Sequence, residues 1–106
     1  MGLFSKKEMN TAAAEAFWGW FGDQEEWITA NLKTSGMDVV WAVDGRLKSV
    51  FPYFKKEIEF QLGFNDGKGE FFFFHFGNKH LMRDGKILAE MMPEGLRGRW
   101  AVILEK

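Results

Sequence analysis

One short segment constrains the fold of this chain more than any other: residues 71–76 read Phe-Phe-Phe-Phe-His-Phe. In an extended strand, alternate side chains point to opposite faces, so Phe72, Phe74 and Phe76 share one face and the odd-numbered residues share the other. Apolar side chains on both faces are typical of a strand buried within a sheet. We therefore expect this segment to lie mid-sheet, with both rows of side chains sealed from water.

The cover over these two rows can come from the chain itself or from a second molecule. In the first alternative, helices cover one face, and a short helix or the N-terminal segment covers the other. In the second alternative, one face is covered by another copy of the chain or by a different protein. A bare row of rings would promote aggregation, so we expect neither row to stay uncovered.

The same segment is the second arm of a predicted hairpin. The first arm alternates apolar residues with polar residues or glycine, and its apolar members are Ile58, Phe60, Leu62 and Phe64. Residues 65–69 read Asn-Asp-Gly-Lys-Gly, a composition that favours a turn. The pattern predicts an antiparallel hairpin over residues 57–76.

Before the hairpin, the pattern predicts a long helix, a strand and a short helix. Residues 11–32 place their large apolar side chains within one stripe at about 100° per residue, which predicts one N-terminal helix. Gly22-Asp23 could instead end one helix and begin a second. Residues 37–43 alternate as a largely buried strand. Residues 44–51 favour a short helix over a hairpin turn at Asp44-Gly45.

After the hairpin, Asn78 is a good cap for a second helix that ends before Pro93, although Asp84-Gly85 could instead form a hairpin turn between two short strands. The last predicted strand covers residues 99–104, with Trp100 on one face and Ile103 on the other. The order α-β-(α)-β-β-α-β predicts an α+β fold: a small four-stranded antiparallel or mixed sheet with the long N-terminal helix and a second helix packed on it. We expect a flexible lead-in over residues 1–10 and a single domain over 11–106.

Composition excludes several classes of function. The chain of 106 residues has no cysteine, which rules out disulfides, thiolate zinc sites and cysteine nucleophiles and fits a reducing, cytoplasmic location. Its net charge is −1, with 14 basic and 15 acidic residues interspersed, so no field attracts nucleic acid or an anionic membrane. The N-terminus has no apolar run of signal-peptide length.

The candidate catalytic residues do not form a recognisable set. His75 and His80 are the two histidines, and a helix would place Asp84 on the same face as His80, but nothing in the sequence directs His75 toward that pair. Glu57 and Glu59 share the polar face of the first hairpin arm, where carboxylates are solvated. We expect no enzyme, no metal site and no cofactor.

Two parts of the chain resemble segments of known proteins: the segment Phe17-Trp18-Gly19-Trp20-Phe21 and the final strand that begins at Trp100. Together they resemble a group of small bacterial proteins that begin with a Phe-Trp-x-Trp-Phe helix and end with a tryptophan-headed strand. That group implies no particular activity, so no functional residue is carried over. In size and style the chain is also similar to immunity proteins of bacterial toxin systems, which act by occluding a partner.

These observations predict a non-enzymatic interaction domain that presents an apolar, aromatic surface to a second copy of itself or to another protein. The predicted contact residues are Trp18, Trp41, Phe72, Phe74 and Phe76. Trp18 lies off the helix stripe and could instead pack inside the domain, whereas exposed tryptophans are common in binding hot spots. The alternative function is a small-molecule-binding domain with a pocket of Phe and Trp side chains between the sheet and the long helix.

Overall fold

The computed structural model describes residues 8–106, so the predicted lead-in lies mainly outside the described residues. The described chain has an α+β fold. Its elements are α1 (Thr11–Asp23), α2 (Glu25–Asn31), α3 (Gly36–Val50), β1 (Glu59–Asn65), β2 (Lys68–Phe74), α4 (Lys79–Glu90), α5 (Glu94–Arg97) and β3 (Trp100–Glu105).

The sheet has the strand order β1-β2-β3, with β2 antiparallel to β1 and parallel to β3. The predicted hairpin is confirmed, and its phenylalanine-rich arm lies mid-sheet. Asp66 and Gly67 have φ angles of 53° and 78°, and two positive φ angles in a two-residue loop match the twist of the flanking strands. The hairpin turn therefore needs a glycine at position 67, where other residues would be strained.

The prediction of a four-stranded sheet was wrong, because residues 37–43 belong to α3 and the described sheet has three strands. The buried residues of α3 are Val39, Val43, Leu47 and Val50, a spacing of three and four that continues across Asp44. The apparent alternation is not a strand pattern, since Met37 and Trp41 are 61% and 67% exposed. The predicted short helix over 44–51 is the second half of this longer helix.

The predicted single helix over residues 11–32 is divided into α1 and α2 at Gln24. The alternative, a break near Gly22-Asp23, is therefore the one that the structure adopts. The break changes which side chains face inward: Ile28 is buried, whereas its neighbour Trp27 is 37% exposed. Asn10 caps α1 by accepting a hydrogen bond from the backbone N–H of Ala13.

The core lies on one face of the sheet and is built mainly from rings. Phe17 and Phe21 of α1 meet the sheet edge-on, with ring centroids 6.1 Å from Phe71 and 5.0 Å from Trp100, respectively. Phe51, at the end of α3, lies 5.4 Å from the ring of Phe73. Each buried ring removes about 150–250 Å² of surface from water, so these contacts dominate the stability of the domain.

Two close contacts fix the sheet to its surroundings. A Cβ atom at Gly69 would overlap the indole ring of Trp100, which lies directly over the glycine on the neighbouring strand. Trp100 also donates to the carboxylate of Glu25 over 3.1 Å, and Arg99 donates to both oxygens of the same carboxylate over 2.7 and 2.8 Å. These bonds hold α2 against β3 and lower the pKa of Glu25, chiefly through Arg99.

Helix α4 begins at its predicted cap and packs on the same face of the sheet as α1. The side-chain oxygen of Asn78 accepts hydrogen bonds from the backbone N–H groups of His80 and Leu81. A Cβ atom at Gly85 would lie 3.0 Å from the ring of Phe73, so α4 approaches the central strand closely there. The parallel pairing of β2 with β3 requires this long connection through α4 and α5.

Candidate functional site

The face of the sheet that points away from the core carries a patch of rings, which we call the outer face. Its side chains form three rows across β1, β2 and β3. In order along β2, these rows are Gly63–Glu70–Ala101, Gln61–Phe72–Ile103 and Glu59–Phe74–Glu105. Phe76 extends the central line beyond the end of β2, and its ring stacks on that of Phe74 with centroids 6.4 Å apart.

The helices that the structure describes contact the opposite face. Phe71, Phe73 and Trp100 belong to the core, whereas Phe72, Phe74 and Ile103 do not. The outer-face residues of the central strand are only half-buried, and Phe76 is 63% exposed. Within residues 8–106, an aromatic row in the middle of the sheet therefore has no layer packed over it.

Charged side chains are distributed unevenly over the outer face. Glu59 and Glu105 flank Phe74 from the two neighbouring strands. At the other end of the face, Glu70 lies between two small residues, and Lys68 is the residue of β2 that comes before it on the same face. One end of the face is thus bulky and acidic, and the other has two small residues and carries both a carboxylate and a lysine.

The five predicted contact residues do not lie on one surface. Trp18 is buried among the rings of α1, and its indole N–H donates a 2.8 Å hydrogen bond to the backbone oxygen of Leu88, so it joins helices instead of facing outward. Trp41 is exposed on α3, where it lines a groove beside Phe60 at the β1 edge of the sheet. Only Phe72, Phe74 and Phe76 are brought together.

Sequence reasoning missed one member of the outer face, Ile103, as a contact residue. The alternation in the last strand places Ile103 opposite Trp100, but it does not say which strand lies next to it. The parallel pairing with β2 puts Ile103 directly beside Phe72. To predict this contact, one would have to know that β3 pairs with β2. Pairing between strands so far apart in the sequence leaves no local pattern.

A second feature is a groove of about 580 Å³ at the end of the sheet where β2 leads into α4. We call it the basic groove. Its lining residues are Tyr53, Phe54, Lys55, Lys56, His75, Phe76, Gly77, Asn78 and His80. The structure thus brings the two histidines together at one groove, which the sequence did not predict. The Lys55-Lys56 pair was the visible sequence signal, but nothing tied it to histidines about twenty positions away.

Asp84 lies next to this groove, and two neighbouring side chains donate hydrogen bonds to its carboxylate. The hydroxyl of Tyr53 donates a 2.6 Å hydrogen bond to its carboxylate, and Arg83 donates over 2.7 and 3.0 Å. Burial would raise the pKa of Asp84, but the bonds from Arg83 and Tyr53 together lower it below its usual value. Burial and the bond to Asp84 raise the pKa of Tyr53, which remains a neutral donor.

The fold and these surfaces define a two-layer α+β domain with an aromatic outer sheet face and a basic groove at one end. No protein-family model, curated protein or solved structure matches the chain. Within the described part of the chain, no helix has the length and apolar character needed to cross a membrane. Residues 8–106 also contain no cluster of three or more His, Asp or Glu side chains arranged for a metal ion.

Proposed function

We propose that this chain is a non-enzymatic protein-interaction domain that associates through its outer face with a second copy of itself. One observation carries the proposal: Phe72 and Phe74 lie on the central strand but face away from the core and from the helices that pack on it. Fully covering an exposed large apolar side chain is worth about 1.5–3 kcal/mol, and Phe72 and Phe74 are already half-buried, so a second layer over each ring contributes part of that amount.

The shape of the outer face supports pairing with an identical face. In a two-fold arrangement with the two β2 strands antiparallel, the bulky end of one copy meets the end of the other that has the two small residues. Phe74 of each copy then lies over Glu70 of its partner, between the small residues Gly63 and Ala101. With the strands parallel, the bulky ends would meet each other instead.

The charges favour the same orientation. Antiparallel pairing moves Glu59 and Glu105 of one copy toward Glu70 and Lys68 of the other, so that a lysine accompanies three carboxylates, whereas parallel pairing would gather four carboxylates around two phenylalanine rings with no lysine beside them. The acidic end of the face therefore favours the antiparallel arrangement over the parallel one.

The size of the outer face sets the expected strength of association. Strands about 4.8 Å apart, with residues rising about 3.3 Å, give three strands a footprint of about 10 by 20 Å. A standard interface buries about 800 Å² on each partner, and this footprint is smaller. We therefore expect a reversible dimer with a dissociation constant in the micromolar range.

Sedimentation velocity from about 5 to 500 µM tests this proposal. We expect the weight-average mass to rise from monomer toward dimer, and Phe72→Ser and Phe74→Ser to abolish the rise. The matched controls are Met37→Ser and Trp41→Ser, which alter exposed apolar residues of α3. Urea unfolding of each variant verifies that it is folded.

A strict monomer throughout this range would overturn self-association, as would a dimer that only the α3 variants dissociate. Lys68→Glu offers a test that leaves every ring in place. It should weaken the antiparallel dimer, because it removes the cation nearest to Glu59 and Glu105 of the second copy, whereas Lys33→Glu should have little effect.

Two further inferences accompany this proposal. An occluding interaction surface fits the style of toxin-immunity proteins, and a cysteine-free chain fits a cytoplasmic location. The alternative of a ligand pocket between the sheet and the first helix has weaker support, since Phe17 and Phe21 fill that space by direct contact with Phe71 and Trp100.

A further inference from the structure

The basic groove is separate from the core. It is lined by residues of two loops and of the first turn of α4. We propose that it binds the phosphate group of a small organic molecule. This assignment does not rest on self-association, and either proposal can fail without the other.

The charge of the groove is the first argument. Two lysines and two histidines line it, and no carboxylate is among the described residues that do. The nearest buried acid, Asp84, is already paired with Arg83 and with the hydroxyl of Tyr53. The groove therefore presents the positive charge of Lys55 and Lys56 to any ligand that enters it.

The hydrogen bonding of His75 is the second argument. This histidine is only 9% exposed, and its Nδ1 accepts a 3.0 Å hydrogen bond from the backbone N–H of Gly77. A nitrogen that accepts carries no proton, so the ring proton lies on Nε2. No buried side-chain nitrogen among the described residues lacks a partner, so Nε2 is not sealed in the core. Because His75 lines the groove, its Nε2–H is a candidate donor to a ligand there.

His80 stands on the other side of the groove and is held in place by two contacts. Its backbone N–H is bound by the side chain of Asn78, and its ring meets that of Tyr53 edge-on, with centroids 6.0 Å apart. Lys55 is also held near its own loop, because its Nζ donates to the backbone oxygen of Pro52 over 3.2 Å. Donors from three parts of the chain thus surround one space.

The residue types favour phosphate over a carboxylate. Lysines bind phosphate as point charges, and no arginine lines this groove among the described residues, so recognition does not use the planar fork of a guanidinium group. A phosphate group also carries up to two negative charges and more acceptor oxygens, which suits a site with several cationic donors.

The remaining lining residues indicate that the ligand has a flat apolar part. Tyr53, Phe54 and Phe76 supply aromatic walls. Phe76 has a φ angle of 51°, a conformation that bulky residues rarely adopt, and its ring is 63% exposed at the groove. A volume of about 580 Å³ lies within the range of small-molecule sites.

Nuclear magnetic resonance gives a direct readout, because the chain has two histidines and both line the groove. We would titrate the protein at constant pH and ionic strength with inorganic phosphate, phenyl phosphate and sodium chloride, and follow the ring C–H resonances. We expect both histidines to shift saturably with either phosphate and not with chloride. Phenyl phosphate should bind about tenfold more tightly than inorganic phosphate.

Variants separate a specific site from general attraction of anions. The double variant Lys55→Ala/Lys56→Ala should weaken phenyl phosphate binding at least tenfold. The control Lys33→Ala/Lys86→Ala removes the same charge from exposed positions that do not line the groove and should weaken binding less than twofold.

Unchanged histidine resonances with both phosphates would overturn the proposal, as would equal losses in the two double variants. Equal affinity for inorganic and phenyl phosphate would overturn the inference that the ligand has a flat apolar part. Benzoate that binds as tightly as phenyl phosphate would overturn the choice of phosphate over carboxylate.

Discussion

The indole N–H of Trp18 donates a hydrogen bond of 2.8 Å to the backbone carbonyl oxygen of Leu88, and this bond joins α1 to α4 across 70 positions of the sequence. Both partners are buried, so neither finds a water molecule if the other is removed. Trp18 also packs edge-on against Phe17 and Phe21, with ring centroids 4.9 and 5.6 Å away. The residue therefore joins α1 to α4 through its hydrogen bond and packs against two neighbouring rings of its own helix.

Trp18→Phe keeps an aromatic ring but removes the donor, and it leaves the buried oxygen of Leu88 with only the 3.2 Å hydrogen bond from the backbone N–H of Met91. We expect the free energy of unfolding to fall by roughly 1–3 kcal/mol, measured by urea denaturation. Trp41→Phe is the matched control, since Trp41 is 67% exposed, and it should change stability by less than about 0.5 kcal/mol. Equal losses for the two variants would show that the buried hydrogen bond contributes little.

Gly69→Ala should destabilise the domain because its methyl group would overlap the indole of Trp100. Overfilling of a packed core typically costs about 1–3 kcal/mol, and the ring cannot move without disturbing Phe21. Gly63→Ala is the control, since a Cβ atom there has no neighbour within 4 Å. If the two variants unfold at the same urea concentration, the close approach of Trp100 to β2 is not what constrains position 69.

Asp84→Asn should lower the free energy of unfolding at pH 7 by roughly 1–3 kcal/mol, because it removes charge-assisted bonds to Arg83 and Tyr53. The pKa of Asp84 is lowered in the folded state, so the unfolded state binds more protons near and below the ordinary value of about 3.9. The stability from this carboxylate is therefore present above that pH and is lost as pH falls through the folded pKa.

The difference between the natural chain and Asp84→Asn should accordingly shrink between pH 5 and pH 2, as followed by urea denaturation at each pH. Glu15→Gln, on the exposed side of α1, is the control and should leave stability nearly unchanged at pH 7. A difference of the same size at both pH limits would contradict the assignment of charge to Asp84.

Tyr53 is the single tyrosine of the chain, so its ionisation can be followed by absorbance near 295 nm. Burial and the bond to Asp84 raise the pKa of its hydroxyl, and we expect phenolate to form above the ordinary value of about 10 in the folded protein. The stability from this group is complete below that value and is lost as pH rises through the folded pKa. Asp84→Asn should move the titration to lower pH, and an unchanged curve would contradict the pairing.

Local chemistry explains which parts of the fold the sequence predicted. The hairpin was predictable because strict alternation over Ile58–Phe64 and the Asp-Gly turn are both short-range signals. The start of α4 was predictable because Asn78 is a strong cap. Each of these features needs only a few neighbouring residues to be read.

The errors arose where two periodicities overlap or where partners are distant. Val39 and Val43 fit both a strand that alternates and a helix with a spacing of four, and only their continuation through Leu47 and Val50 distinguishes the two. The sequence leaves Trp18 either exposed or packed inside the domain, because its angle on an ideal helix lies off the stripe. Its partner on α4 is far away in sequence, so no local pattern could reveal that it is buried.

The parallel pairing of β2 with β3 has a consequence for synthesis on the ribosome. About 25 residues separate the end of β2 from Trp100, and the indole that covers Gly69 emerges only after α4 and α5 have been made. Until then, the nascent hairpin presents hydrophobic rings on both of its sides. Contacts of such long sequence separation form slowly, so the growing polypeptide passes through a stage in which chaperones have their best opportunity to bind it.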